Sequence, residues 1–285
     1  MIVMARRLTA VRARWWLLVL VFLTAASAGA SAQSFWDELL TGIELSIGQS
    51  VAAGVFEEYG PPARLSPEEQ QWLAAIFSDI AGRAQRKEVP YSLTVLDSPV
   101  VNAFAAPGGY IFLTIGLLDY IGHDTDAVAN VIGHEIAHVE RRHGMNALGR
   151  RLGLGLVLQL ALGPPSEDSP VWHQVAVIAT ELMHLGWSRD QEHEADNTGQ
   201  RLAAAAGYDP HGMVRFFTIL RELEGLEIPF LEFLSTHPLT SERIERARVR
   251  AELLTPAPRS RPKPVSPYTP RGSAGEPEAP PFFVP

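Results

Sequence analysis

Residues 131–139 read Val-Ile-Gly-His-Glu-Ile-Ala-His-Val, and the rest of the chain is interpreted around them. In a helix, positions i and i+4 lie on one face, so His134 and His138 can present two imidazoles to one cation. Glu135 lies about 100° round the helix, where its carboxylate can reach a water at that cation without binding the cation. The flanking residues are apolar, so we expect a buried helix carrying a hydrolytic zinc centre with one zinc ion per chain.

The third ligand must come from another part of the chain. The 285 residues include no cysteine, so a catalytic zinc site would combine two histidines with a carboxylate. The position six residues after His138, where metzincins carry a histidine, is Gly144, which excludes that class. Glu192 and Asp196 are four residues apart on a predicted helix, so Glu192 can bind the metal while Asp196 hydrogen-bonds a ligand histidine. Glu194 faces elsewhere and stays open as an alternative ligand.

The composition changes along the chain in a way that predicts four segments. Residues 1–32 have a basic start, a short apolar run and a small-residue cleavage site, which is typical of a secretory signal. An uncleaved membrane anchor is the alternative. Residues 33–64 are predicted to form an amphipathic helical segment, packed on the domain or lying at a membrane surface. Residues 65–254 would be the metal-binding domain, and the proline-rich residues 255–285 a disordered tail.

The charge of the chain disfavours nucleic acid as a partner. The formal net charge is −8, and residues 1–32 hold four arginines and no acidic residue. Their removal would leave a still more acidic chain, which is poorly suited to bind phosphate backbones. The absence of cysteine also excludes disulfides and a lipid-modified cysteine at the N-terminus.

Three short strands are predicted just before the motif helix, at residues 91–96, 102–106 and 110–114. A strand at the edge of a sheet beside a zinc cleft can hold an extended peptide through backbone hydrogen bonds. We expect Asn102, Ala103 and Phe104 to serve as such a substrate strand, although the sequence does not show which strand is the edge. The fold class expected is α+β and mostly helical, with a small sheet beside the motif helix.

Four stretches of the sequence are informative when they are taken together. They are Asn-Ala-Phe-Ala-Ala-Pro-Gly-Gly at 102–109, Gly-His-Glu-Ile-Ala-His at 133–138, Ser-Arg at 188–189 with Glu-His-Glu-Ala-Asp at 192–196, and Ser-Thr-His-Pro at 235–238 before Glu-Arg-Ile at 242–244. Together they resemble one known family, the HtpX and CaaX-prenyl-protease-type zinc metallopeptidases, which are gluzincins. They are most similar to the secreted, periplasmic BepA- and LoiP-like branch. The resemblance implies a zincin-like metalloprotease domain with Glu192 as the third zinc ligand.

The resemblance also implies a substrate class and a compartment. The expected protein is a periplasmic metalloendopeptidase that acts on misfolded or unassembled envelope proteins, with peripheral membrane association as a further expectation. A chaperone-like assembly factor that uses the cleft mainly for binding is the competing hypothesis. The sequence gives no oligomeric state.

Two further residues are assigned roles from the residue pattern. A tetrahedral oxyanion needs a donor besides the metal, and His237 is the candidate. His237 could instead be a fourth ligand that closes a resting site, or simply fix a turn. Arg189 is expected to be structural and to pair with Asp196 or Glu192.

Overall fold

A computed structural model describes residues 30–151, 186–226, 228 and 231–271. The chain divides into two compact units, residues 1–43 and 44–285. Helix α1 (Ala30–Tyr59) begins at the first described residue, and the account below concerns residues 44 onward. Most of the predicted signal lies outside the described residues. So do residues 152–162 and 171–185, for which the apolar spacing of the sequence predicts helices. In the part that is described, no helix is both long and apolar enough to cross a lipid bilayer.

The described residues form a mostly helical α+β fold, which confirms the predicted fold class. The elements after α1 are α2 (Pro67–Ala81), β1 (Ser92–Leu96), β2 (Ala103–Ala106), β3 (Tyr110–Thr114), α3 (Ile115–Ile121), α4 (Thr125–Glu140), α5 (Arg189–Ala205), α6 (His211–Gly225), α7 (Phe233–Thr236) and α8 (Ser241–Leu253). Residues 143–151 are also helical. The predicted strands agree with β1 to β3 to within a residue at each end.

Side-chain caps set where the main helices begin. Ser66 and Glu69 form a capping box at the start of α2, and Ser188 and Gln191 form one at the start of α5. Asp124 accepts hydrogen bonds from the backbone amides of residues 126 and 127 at the start of α4. Each cap satisfies amides that the first helical turn leaves without a backbone partner.

The sheet has the order β1-β3-β2 and is mixed. β1 runs parallel to β3, and β2 runs antiparallel to β3. The turn at Pro107–Gly109 allows the antiparallel return, since Gly108 and Gly109 both have positive φ (79° and 92°) that suits glycine. β2 is therefore an edge strand, which the sequence alone did not reveal.

Helix α4 is the centre of the core and packs against α2, α5, α6 and β2. Every residue from Thr125 to Val139 is buried. Its backbone comes close to that of α5 at Gly133 and Gly199. A Cβ at Gly133 would lie 2.7 Å from the Gly199 carbonyl oxygen, and a Cβ at Gly199 would lie 2.6 Å from the His134 nitrogen. These two glycines let the helices that carry the candidate ligands nearly touch.

The first part of the C-terminal segment differs from the predicted disordered tail. Residues 255–271, here called the C-terminal strap, form no helix or strand but lie against the domain. Arg259 Nη2 is 2.7 Å from Asp79, Lys263 Nζ is 2.6 Å from Asp126, and the buried Tyr268 donates its hydroxyl to Asp119 at 2.7 Å. The strap needs no core of its own because its basic and aromatic side chains bind acidic residues of α2, α3 and α4. Residues 272–285 lie outside the described part.

Candidate metal centre

Four buried side chains from three parts of the chain meet at one point. They are His134 and His138 of α4, Glu192 of α5 and His237, which follows α7. His134 Nε2 is 3.1 Å from His138 Nε2 and 3.3 Å from His237 Nδ1. Glu192 Oε1 is 3.1 Å from His237 Nδ1 and 3.5 Å from His138 Nε2. Each of the four residues is at most 2% exposed.

The spacing and chemistry of these atoms fit a tetrahedral zinc ion. Zinc binds histidine nitrogen and carboxylate oxygen at about 2.0–2.2 Å, which places neighbouring ligand atoms about 3.3 Å apart. The four measured separations bracket that value. Ring nitrogens of three histidines converge here, and in a buried site a shared cation makes such an arrangement favourable.

Glu135 lies beside this cluster without taking part in it. Its side chain is 1% exposed, and within the described residues neither of its carboxylate oxygens has a hydrogen-bond partner. The nearest cationic candidate is His237, whose Nε2 is 3.9 Å from Glu135 Oε1. Burial raises the pKa of Glu135, opposed by His237 and His134. A buried carboxylate with no protein partner is placed to accept a proton from a small molecule at the centre.

Asp196 contacts His134 at Nδ1, the ring nitrogen that does not face the other candidate ligands. Asp196 Oδ1 is 3.0 Å from His134 Nδ1, so the proton of that ring can lie on Nδ1 and leave Nε2 free to bind a metal. Burial would raise the pKa of Asp196, but Arg243 and His134 outweigh it and lower the pKa. The structure thus brings Asp196 next to the histidine, where the spacing of α5 placed it.

Arg243 pairs with Glu192 and Asp196 of α5, a role that the sequence analysis gave to Arg189. Arg243 donates through Nε and Nη2 to Asp196 at 2.9 and 2.8 Å, and its Nη1 lies 2.5 Å from Glu192 Oε2. Arg189 is exposed at the start of α5. The difference has a physical reason. Arg189 is close in sequence to Glu192 and Asp196, but at the start of α5 its side chain is exposed to solvent. Helix α8 instead places Arg243 against these two acidic residues.

His237 is held in place from several sides. Its ring stacks on Phe233 at 4.4 Å with an interplanar angle of 17°. The Trp187 amide donates to the Thr236 carbonyl at 2.9 Å, and Arg243 Nη1 donates to the Pro238 carbonyl at 3.0 Å. The backbone on both sides of His237 is therefore anchored, and its Nδ1 faces the other three candidate ligands.

The edge strand β2 lies next to this centre. A cleft reaches from the strand to His237, and its lining includes Phe104, Ala105, Trp187, Ile47 and Val51. Trp187 also stacks on His138 with 4.7 Å between the ring centroids. An apolar cleft that ends at the metal centre can accept an apolar side chain of an extended peptide.

The predicted substrate strand is more buried than expected. Asn102, Ala103 and Phe104 are all at most 4% exposed, whereas Ala105 is partly exposed. The Asn102 amide group lies 3.4 Å from Glu232 and from the hydroxyl of Tyr59, so that side chain ties the start of β2 to neighbouring segments.

Comparison with known proteins gives a family for this chain. The model of peptidase family M48 matches residues 67–251. The chain is 28% identical over 253 residues to the beta-barrel assembly-enhancing protease of Yersinia pestis, covering 81% of this chain and 51% of the relative. It is 33% identical over 177 residues to the mitochondrial metalloendopeptidase OMA1 of Arabidopsis thaliana, covering 61% and 35%.

The matching protein from Escherichia coli K12, also a beta-barrel assembly-enhancing protease, is 26% identical over 260 residues, which is 84% of this chain and 53% of that relative. The chain thus spans about half the length of these two assembly-enhancing proteases, and 35% of the Arabidopsis OMA1. The family resemblance inferred from the four sequence stretches is confirmed, and so is the choice of a zinc-type centre.

Proposed function

The chain belongs to peptidase family M48, and we propose that it is a zinc-dependent metalloendopeptidase that hydrolyses peptide bonds in proteins. The observation that carries the proposal is the buried carboxylate of Glu135, which has no hydrogen-bond partner among the described residues and lies beside four converging metal-binding atoms. A protein that only bound zinc would have no use for that carboxylate, since burying it is costly.

His134, His138 and Glu192 are the proposed zinc ligands, with Asp196 and Arg243 holding them in position. Zinc bound there would supply Lewis acidity, which lowers the pKa of water at the site and polarises a carbonyl. The ligands come from two helices that cross at a pair of glycines, so the backbone itself sets their separation. Preset separation of this kind lowers the cost of ordering the site when the metal binds.

Glu135 is the proposed general base and acid. Its unpartnered carboxylate takes a proton from the attacking water and then delivers it to the nitrogen of the departing amine. The raised pKa that burial gives Glu135 strengthens it as a base for this step. Because the side chain is held in a rigid buried helix, it does not have to reorganise between the two transfers.

His237 has two roles open to it, and the geometry favours one for the state described. Its Nδ1 lies at the fourth corner of the candidate tetrahedron, where a catalytic site keeps a position free for water. With a metal bound, His237 would therefore be a fourth ligand at rest, and it would have to withdraw before water could take that position. Once withdrawn, its imidazole would be near enough to donate to the oxyanion of the tetrahedral intermediate.

The proposed substrate is an extended protein segment that lies along β2. Thr114 donates its amide to the Asn102 carbonyl at 3.1 Å, so the alternation of antiparallel pairing turns the backbone groups of Ala103 and Ala105 away from β3. Ala105 is the more exposed of the two and is the expected point of backbone pairing. The neighbouring apolar cleft would then receive a substrate side chain.

The proposed setting is the bacterial envelope, where the chain would remove misfolded or unassembled proteins. Support comes from the predicted signal at residues 1–32 and from the similarity to beta-barrel assembly-enhancing proteases. A chaperone-like factor is the second candidate, and the closed position of His237 favours it as a resting mode of the same protein.

The decisive experiment measures zinc content and casein cleavage of the purified full-length protein and of two variants. Wild type should hold about one zinc per chain and cleave. Glu135→Gln should keep the zinc and lose cleavage, whereas His138→Ala should lose both. Cleavage by Glu135→Gln at the wild-type rate would refute the proposed base. If wild type and Glu135→Gln both hold zinc and neither cleaves, the chaperone-like interpretation is favoured.

A further inference from the structure

The outer nitrogen of His138 faces a second histidine that has no role in the proposal above. His138 Nδ1 lies 2.9 Å from His143 Nδ1, and His143 Nε2 lies 3.2 Å from Glu194 Oε2. His143 is buried, at 2% exposed, whereas the Glu194 side chain is 47% exposed and also lies 3.4 Å from Arg141 Nε. The three groups form a hydrogen-bonded chain from the candidate ligand to the protein surface.

The positions of the protons along this chain follow from hydrogen-bond chemistry. Two nitrogens 2.9 Å apart share one proton, so one Nδ1 donates and the other accepts. His138 can offer Nε2 to a metal only when its own proton is on Nδ1. His143 Nδ1 must then accept, which puts the proton of His143 on Nε2, where the carboxylate of Glu194 accepts it.

We propose that His143 is a positioning residue that, with Glu194, holds His138 in the tautomer able to bind zinc. This inference rests on the proposed function, because it takes His138 as a zinc ligand. The two histidines of the motif are then supported differently. His134 is held directly by the buried Asp196, and His138 is held indirectly, through an imidazole, by an exposed carboxylate.

The local backbone shows that the placement of His143 is specific. In an uninterrupted helix, His143 would point about 140° away from His138, since five residues turn the helix by 500°. Helix α4 instead ends at Glu140, and Arg142 has a φ of 52°, a conformation that non-glycine residues rarely adopt. This left-handed residue lets the next helical stretch begin at His143 with its ring under His138. An unfavourable backbone conformation kept beside a site is a recurrent sign of function.

The test compares two nearly isosteric substitutions of His143 in the full-length protein. His143→Asn keeps an oxygen near the place of Nδ1 that can accept the proton of His138, whereas His143→Leu has no acceptor. Zinc affinity is measured by competition with a chromogenic chelator, and folding by the thermal melt of the metal-free form. Loss of such a supporting partner typically lowers metal affinity by 10–100-fold. We expect about that loss for His143→Leu and most of it restored in His143→Asn.

A matched control and a direct observation complete the test. His193→Gln alters a histidine of α5 that lies 3.9 Å from Glu242 on α8, and it should leave zinc affinity unchanged. In the zinc-loaded wild type, long-range ¹H–¹⁵N spectra should show the proton of His143 on Nε2. A proton on Nδ1 of His143, or equal zinc affinity in the Leu and Asn variants, would overturn the inference while leaving the metallopeptidase proposal intact. A wild type that binds no zinc would overturn both.

Discussion

Arg243→Met should destabilise the protein more than any surface substitution of the same kind. The Arg243 side chain is 2% exposed, pairs with Asp196 through two hydrogen bonds, contacts Glu192 and donates to the Pro238 carbonyl. Methionine fills a similar volume but leaves two buried carboxylates without their cation. Removing one partner of a buried ion pair costs about 3–5 kcal/mol. For a domain of this size, that corresponds to a melting temperature lower by about 6–20 °C.

The loss should depend on zinc, because the metal supplies positive charge at the same place. Glu135, Glu192 and Asp196 can carry three negative charges, opposed by one charge on Arg243 and two on zinc. With zinc bound, the Met variant lacks a positive charge for one of the three negative charges. Without zinc, it lacks a positive charge from Arg243 or the metal for all three. We therefore expect a larger drop in melting temperature after treatment with a chelator than in the presence of zinc.

Calorimetry of wild type and variants, with and without a chelator, measures this effect. Arg243→Lys should lie between wild type and Arg243→Met, because an ammonium cannot make the paired bonds to Asp196 and still reach Glu192. Arg246→Met, on the same helix but with a 54% exposed side chain paired to Glu242, is the matched control and should change stability by less than about 1 kcal/mol. A wild-type melting temperature and zinc content in Arg243→Met would refute the reasoning.

Three other substitutions test the architecture. Gly199→Ala should push α5 away from α4, destabilise the domain by about 1–3 kcal/mol and weaken zinc binding, as measured by denaturant titration and zinc competition. Gly149→Ala, whose added Cβ would meet no atom of the described residues within 4 Å, should change neither stability nor zinc binding. Asp124→Asn keeps the cap of α4 but loses the ion pair with Arg215. In the wild type, partial burial tends to raise the pKa of Asp124, but Arg215 and the capped backbone amides lower it below its ordinary 3.8. The substitution's cost of about 1 kcal/mol or less should be present at pH 7 and vanish as the pH falls through the folded-state pKa, and a pH-independent cost would contradict the pairing. Tyr268→Ala should lower unfolding free energy by about 1.5–3 kcal/mol and expose the C-terminal strap to protease, with no change expected if the segment did not pack.

Sequence patterns predicted those parts of the fold that depend on residues three to five positions apart. The facing of His134 and His138 follows from the helical repeat, and the capping boxes that begin α2 and α5 are local hydrogen bonds. These features need no knowledge of how the chain returns on itself. Glu192 was assigned from its spacing to Asp196 together with the family resemblance, and the structure brings it to the two histidines.

The features that were missed depend on distant contacts or on a single backbone angle. Arg243 is 47 residues from Asp196, and only the packing of α8 on α5 brings them together. His143 is five residues after His138, a spacing that would not bring the two rings together in a continuous helix, and the left-handed conformation of Arg142 that does so has no signature in the sequence. The composition of the C-terminal strap predicts disorder because it offers no internal core. Composition does not show that acidic residues of α2, α3 and α4 bind the strap.

The order in which the metal-binding side chains occur along the chain has a consequence for biogenesis. His134 and His237 are 103 residues apart, and Glu192 falls 45 residues before His237. Arg243, which neutralises Glu192, comes later still. Proteins are made, and often folded, from the N-terminus onward. A nascent chain therefore carries the histidine pair for a long stretch of its synthesis without the carboxylate and its counter-ion, so the proposed hydrolytic site is complete only when nearly the whole domain has emerged.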